Sequence, residues 1–238
     1  MFELNIQKNW IDALYARSSV RQYTSAPDKA QLDKLGETCR KLSWQGVKIR
    51  MFKGPGLKSQ IKGTDVYAVI IAKRGTPMEV EGFMGEALVL EATAMGLGTC
   101  WLGAGFYPDI INRNVDLQTD EAVHCVISIG KANLPAFAPK RKELEKVCGM
   151  NEEQLAQLGA WQKEAVLAAR LAPSAINQQP WKIAADKTSV SILEKTVLYK
   201  KYAPLDRGIC MLHAAVGAAK AGRTAIWKKV DGGYAMKA

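Results

Sequence analysis

Two apolar helices with matching punctuation lie 126 residues apart, and this repeat constrains the fold more than any other feature of the chain. Gly82, Ala92, Gly96 and Trp101 recur as Gly208, Ala218, Gly222 and Trp227 at one offset (208 − 82, 218 − 92, 222 − 96, 227 − 101). The helix before each ends as Lys41-Leu42 in one half and Arg170-Leu171 in the other, an offset of 129 (170 − 41). Small residues and a closing tryptophan at near-constant spacing point to a diverged duplication. Its two helix–strand–helix halves would pack as a subunit pair does. The expectation is one domain over residues 1–238, with halves of approximately 1–145 and 146–238.

Helices and strands alternate along the chain. Helices are expected at Asn9 to Ala16, from Pro27-Asp28 through Leu42, from Met84 to Met95, from Glu152 to Leu171 and from Asp206 to Ala221. Val66 to Lys73 and Ala122 to Ile129 read as buried strands because their apolar runs are continuous rather than alternating. Lys182 to Ala185 and Val190 to Leu193 read as a short strand pair. Asn133 to Glu145, with Pro135, Pro139 and a charge cluster, reads as a linker.

Composition narrows the function classes. Hydrophobic residues make up 48% of the 238 and charged residues 24%, which excludes a disordered chain. No apolar run approaches the roughly 20 residues of a membrane span, and the N-terminus lacks the pattern of a secretory signal. The expectation is a cytoplasmic protein with no membrane partner. Five scattered cysteines, no CxxC and two histidines offer neither a disulfide scaffold nor a metal site. His124 and His213 read as core histidines, and Cys100 as a packing residue. The net charge of +10 favours anionic ligands. No nucleic-acid-binding signature accompanies the scattered basic residues, so nucleic acid is not the expected partner.

Two segments carry the chemistry. Leu171-Ala-Pro-Ser-Ala-Ile-Asn-Gln-Gln-Pro-Trp181 combines a helix stop at Pro173 with Ser174 and Asn177, which favour turn hydrogen bonds over helix. By itself it reads equally as an ordinary helix-to-strand turn. Arg17-Ser-Ser-Val-Arg-Gln-Tyr23 places two arginines and hydroxyls where they suit a phosphate, although alone it also reads as a solvated basic loop. Gly96-Leu-Gly98 closes a helix rather than opening one, so it is not a dinucleotide fingerprint. Phe52-Lys-Gly-Pro-Gly56 lacks a P-loop ending and reads as a loop.

Together these segments resemble the FMN-dependent nitroreductase family. Arg17, Ser19, Arg21 and Tyr23 meet its Arg-x-Ser-x-Arg/Lys-x-aromatic pattern. Ala172, Pro173, Ser174, Asn177, Gln179, Pro180 and Trp181 meet its Ala-Pro-Ser-x-x-Asn-x-Gln-Pro-Trp pattern. Gly96 to Gly103 matches its Gly-Leu-Gly-Thr-Cys-Trp-Leu-Gly run, and Gly130 to Leu144 its basic cluster, centred on Arg141. Pro173 comes 156 residues after Arg17 (173 − 17), whereas the two patterns lie close together in the usual member. Ser43-Trp-Gln-Gly-Val47, at the equivalent point of the first half, has lost the second pattern. The chain therefore resembles the internally duplicated branch, a single-chain mimic of the family's homodimer.

The resemblance implies an α+β fold, a central mostly antiparallel sheet flanked by helices, in a monomeric pseudo-dimer with one FMN per chain. Arg17, Ser19 and Arg141 would hold the phosphate and ribityl chain, with Lys140 or Lys142 assisting. Arg21 would meet the pyrimidine edge; Pro173, Ser174 and Asn177 would approach the ring. The backbone at Leu102 and Gly103 would lie near N5. Ala175 stands where many relatives have a second serine. The implied activity is transfer of hydride from NAD(P)H through the flavin to a nitroaromatic, quinone or similar small acceptor. No catalytic side chain is expected beyond the cofactor's own chemistry. The alternatives are a flavin-binding protein for storage or sensing, and a basic nucleic-acid-binding protein.

Overall fold

The computed structural model describes residues 4–54, 60–133 and 140–237. The chain divides into two compact units, one of Ala16–Ala138 and one of Met1–Tyr15 with Pro139–Ala238. Helix α1 (Trp10–Ala16) comes first. The Ala16–Ala138 unit then contains α2 (Lys29–Leu42), β1 (Val47–Lys53), β2 (Val66–Lys73), α3 (Met78–Ala94), β3 (Gly98–Leu102), α4 (Pro108–Asn114) and β4 (Glu121–Gly130). The other unit contains α5 (Leu144–Cys148), α6 (Glu152–Ala156), α7 (Ala160–Arg170), β5 (Trp181–Ala185), β6 (Val190–Glu194), α8 (Ala203–Lys220), β7 (Ile226–Val230) and β8 (Gly233–Lys237).

Each unit builds its own four-stranded antiparallel sheet, so there are two sheets rather than one central sheet. Their orders are β1-β2-β4-β3 and β5-β6-β8-β7, the same topology used twice. In both, a long helix (α3 or α8) connects the second strand to the third. Strand β2 lies inside its sheet and is buried from Val66 to Ala72, which explains its unbroken apolar run.

Helix α2 starts at a capping box. The Asp28 carboxylate accepts the Gln31 N–H at 3.0 Å, and the Gln31 side chain accepts the Asp28 N–H at 3.0 Å. Leu35, Cys39 and Leu42 form its buried face. Helices α3 and α8 are different: α3 is buried continuously from Glu79 to Ala92, and α8 from Leu205 to Ala218. A helix buried on all sides is built mainly of apolar and small residues, which is the composition that made the repeat visible. The few charges buried in it, such as Glu81, Glu86 and Asp206, have polar partners. Gly217 shows why some must be glycine. A Cβ there would sit 2.3 Å from the Glu164 carbonyl oxygen and 2.8 Å from Ala165 Cα, so α7 and α8 approach backbone to backbone.

Several expectations need correction. The segment Glu152 to Leu171 is two helices, α6 and α7, separated around Gly159, which caps α7. Helix α3 starts at Met78 rather than Met84, because Glu79 and Glu81 continue the helix as buried side chains. The run after Gly96 is an edge strand, β3. Residues 55–56 of the Phe52 to Gly56 loop and 134–139 of the 133–145 segment lie outside the described residues, and α5 starts at Leu144 within the expected linker.

Candidate functional site

In the Met1–Tyr15 and Pro139–Ala238 unit, the Pro173–Gln179 motif follows the end of α7 and leads into β5 as a strained turn. Three non-glycine residues adopt left-handed backbone: Ile176 at φ 48°, Asn177 at φ 56° and Gln179 at φ 50°. Such conformations cost roughly 1–2 kcal/mol each, and most for a β-branched residue such as Ile176. They persist only where the surroundings over-determine them.

The surroundings do so through a dense set of bonds. Arg141 donates from Nε to the Leu171 carbonyl at 3.2 Å and from Nη1 to Asn177 Oδ1 at 3.0 Å. Asn177 Nδ2 donates to the Lys140 carbonyl at 3.1 Å. Gln179 is buried; its Oε1 accepts the Lys142 N–H at 2.9 Å, and its own N–H donates to Ser174 Oγ at 2.8 Å. Lys142 Nζ donates to the Gln178 carbonyl. From α8, the buried carboxylate of Asp206 accepts the Ala175 N–H at 3.0 Å and 3.1 Å. Burial pushes the Asp206 carboxyl up to about 7, against the opposing pull of the Ala175 bond and Arg207.

Five of the expected site residues, Lys140, Arg141, Pro173, Ser174 and Asn177, thus fall in one cluster. Their roles differ in detail. Lys140 contributes its carbonyl, while its ammonium pairs with Glu143 at 3.1 Å in solvent. Arg141 braces the turn as well as bringing a positive charge to it.

In the Ala16–Ala138 unit, the Arg17–Tyr23 segment lies along the edge strand β3. Ser19 and Thr99 form a parallel bridge, and the Val20 N–H donates to the Thr99 carbonyl at 2.8 Å. Leu102 ends β3 and Gly103 follows it, so Ser19, Leu102 and Gly103 belong to one sheet edge. Tyr23 is buried and anchors the segment, its hydroxyl 2.8 Å from Ser128 Oγ. Arg21 is exposed and, with Ser19, Gln22, Thr24 and Asn133, lines an open cavity of about 510 Å³.

Arg17 is deeply buried rather than exposed. Its Nε stands 4.0 Å from Glu86 Oε1 of α3, and that nitrogen has no hydrogen-bond partner among the described residues. Burial lowers the guanidinium pKa, and Glu86 and Cys100 partly offset this. Glu86 is fully buried and also accepts the Trp101 indole N–H at 2.7 Å. Gly85 makes that approach feasible, since a Cβ there would lie 2.3 Å from the Trp101 ring.

Sequence reasoning did not select Asp206 or Glu86. The available signal was an acidic residue inside an otherwise apolar helix, where a carboxylate needs a partner to be buried. His213 is a core histidine as expected, with Nδ1 3.3 Å from the Ala168 carbonyl. His124 is not: its side chain is 41% exposed and pairs with buried Glu81 at 2.8 Å, because this end of β4 is open to solvent.

The turn between α2 and β1 echoes the strained one. Ser43 Oγ accepts the Ile49 N–H at 3.1 Å, and Gln45 and Gly46 are left-handed at φ 50° and φ 82°. The turn geometry recurs without the Pro-Ser-x-x-Asn side chains.

The family model described as "Putative TM nitroreductase" matches residues 9–218. The chain belongs to this nitroreductase family. A "putative nitroreductase" from Thermotoga maritima shares the fold, at a TM-score of 0.72 and 23% identity over 100% of this chain and 97% of its own. Two looser likenesses are an FMN-dependent nitroreductase from Clostridium difficile and a nitroreductase with bound FMN from Desulfitobacterium hafniense. Their TM-scores are 0.45 and 0.48 and their identities 21% and 15%, covering 55% and 61% of this chain and 91% and 100% of their own. No curated protein matches the sequence. Among the described residues, no helix is long and apolar enough to cross a membrane.

Proposed function

We propose that this family member is an FMN-dependent oxidoreductase that takes hydride from NAD(P)H and reduces nitroaromatic, quinone or similar small acceptors. The observation that carries this reading is the Ser174–Gln179 turn, held in a costly conformation by Arg141 and Asp206 at the motif that resembles the family's flavin site. Strain maintained by so many bonds favours a binding role over a simple connection.

Each unit offers donors of the kind that a phosphorylated flavin needs. On the β3 edge, Arg21 and Ser19 present a cation and a hydroxyl to an open cavity, and Arg17 has an unused buried donor at Nε. The backbone of Leu102 and Gly103 would lie near N5. In the other unit, the oxygen of Ser174 accepts from Gln179, so its own hydrogen is left to donate. Pro173 and Asn177 would line the ring, with Arg141 and Lys140 supplying positive charge. Bound FMN would supply the redox chemistry, accepting hydride and releasing electrons to the acceptor. The chain's own task is to bind and orient it and to place cationic side chains near its phosphate and pyrimidine edge.

The shared strand order of the two units supports an internal duplication, and because only the second half keeps the Ala-Pro-Ser-x-x-Asn motif, the expected stoichiometry is one FMN per chain. Titration of the protein into FMN, read by loss of flavin fluorescence, should saturate at one FMN per chain. Two equivalent sites would refute the stoichiometry, and no binding would refute the function.

A further inference from the structure

Ile176 has neither a conformational nor a burial reason to be isoleucine. It sits at φ 48° and ψ 24°, where a β-branched side chain is an outlier, and it is 79% exposed, so no packing offsets the strain. The next residue but one ties this turn to a second apolar pair. Gln178 Nε2 donates to the Tyr199 carbonyl at 2.8 Å, and the Tyr199 N–H donates back to Gln178 Oε1 at 3.1 Å. This two-bond clasp holds Leu198, which is fully exposed, and Tyr199, which is 36% exposed, alongside the turn. The Tyr199 ring is supported by buried Tyr202, with centroids 6.0 Å apart and planes tilted by 54°.

We propose that Ile176, Leu198 and Tyr199 determine acceptor specificity by forming an apolar contact surface for a flat aromatic or quinoid acceptor. The inference rests on the flavin reading above, because Gln178, which clasps Tyr199, belongs to the turn that carries Ser174 and Asn177. A single exposed apolar residue is ordinary. An exposed isoleucine held in a strained conformation, next to a clasped segment that also exposes leucine and tyrosine, concentrates apolar area suited to an apolar ligand. A supported tyrosine ring offers a stacking face to a planar molecule. The clasp uses only the backbone of Tyr199, so its side chain is free to serve recognition without holding the loop. The three side chains present almost no hydrogen-bonding groups, so they select for apolar area rather than for particular substituents.

The test is equilibrium dialysis of menadione, a planar quinone, against the whole protein and the double variant Leu198→Ser/Tyr199→Ser. Both side chains are exposed and the Gln178 bonds are to backbone, so the variant keeps the fold. Menadione affinity should fall about tenfold, the order expected when two partial apolar contacts are lost. FMN affinity, titrated in parallel, should not change. Equal menadione affinity in the two proteins would overturn the assignment of this surface. Failure of the unaltered protein to bind FMN would instead overturn the flavin reading, while the menadione comparison would still judge the surface.

Discussion

Asp206 receives the Ala175 N–H on both carboxylate oxygens, at 3.0 Å and 3.1 Å, from a buried position on α8. This bond fixes the start of the strained turn and places an ionisable group beneath it. Burial pushes the folded-state carboxyl up to about 7, whereas an unfolded Asp titrates near about 3.9. A carboxyl raised in the folded state contributes most stability below its unfolded pKa. That contribution declines as pH rises above about 4 and is lost once pH passes about 7. Asp206→Asn keeps an oxygen for Ala175 and removes the ionisation. Melting temperature measured from pH 5 to pH 8 should fall more steeply for the unaltered protein than for this variant. Parallel curves would show that Asp206 does not titrate in this range.

Arg141 reaches Leu171 and Asn177 with two N–H groups of one planar fork. Lysine cannot reproduce that geometry. Arg141→Lys should therefore cost about 1.5–3 kcal/mol of stability in urea denaturation, the range for losing charged hydrogen bonds. It should also weaken FMN binding about tenfold, since Asn177 loses its anchor and lysine, although still cationic, cannot hold a phosphate with a planar fork of N–H donors. Unchanged values for both would remove Arg141 from the site.

The parts of the fold that could be read in the sequence are those with strong periodicity or punctuation. Strand β2 stands out because burial on all sides leaves a continuous apolar run. Helices α3 and α8 stand out because they are mostly apolar and small along their length, broken only by a few buried charged or polar residues. Strand β1 does not: its Lys48, Arg50 and Lys53 interrupt the run, and its strand character comes from pairing with β2. The β7–β8 hairpin had a readable signal in Asp231-Gly232, with Gly232 at φ 68°, but its short strands are charged on one side. At the site, the motif placed Ser174, Asn177 and Arg141 in one cluster. It could not show that Arg17 is buried against Glu86, because that pairing joins residues whose proximity depends on how α3 lies on the sheet.

Ile176→Gly tests whether the turn is strained. Relief of the left-handed conformation is worth roughly 1–2 kcal/mol, and the greater freedom of glycine in the unfolded chain returns about 0.5–1 kcal/mol of it. The variant should be more stable by about 0.5–1 kcal/mol in a thermal melt. A lower melting temperature would contradict the strain account.

Glu86 supports Arg17 from the interior. Removing one member of a buried ion pair leaves the other charge without compensation, at a cost of about 3 kcal/mol. Glu86→Gln retains an acceptor for the Trp101 indole but removes the charge facing Arg17. Urea denaturation should show a loss of that order. A loss under about 1 kcal/mol would mean that Arg17 does not depend on Glu86.

The most direct measurement is an anaerobic absorbance spectrum of the protein with FMN, before and after addition of NAD(P)H. The account predicts flavin bands that shift on binding and bleach when the reductant is added, then recover with menadione. Bands that shift but persist under NAD(P)H would contradict an oxidoreductase and leave a protein that only binds flavin.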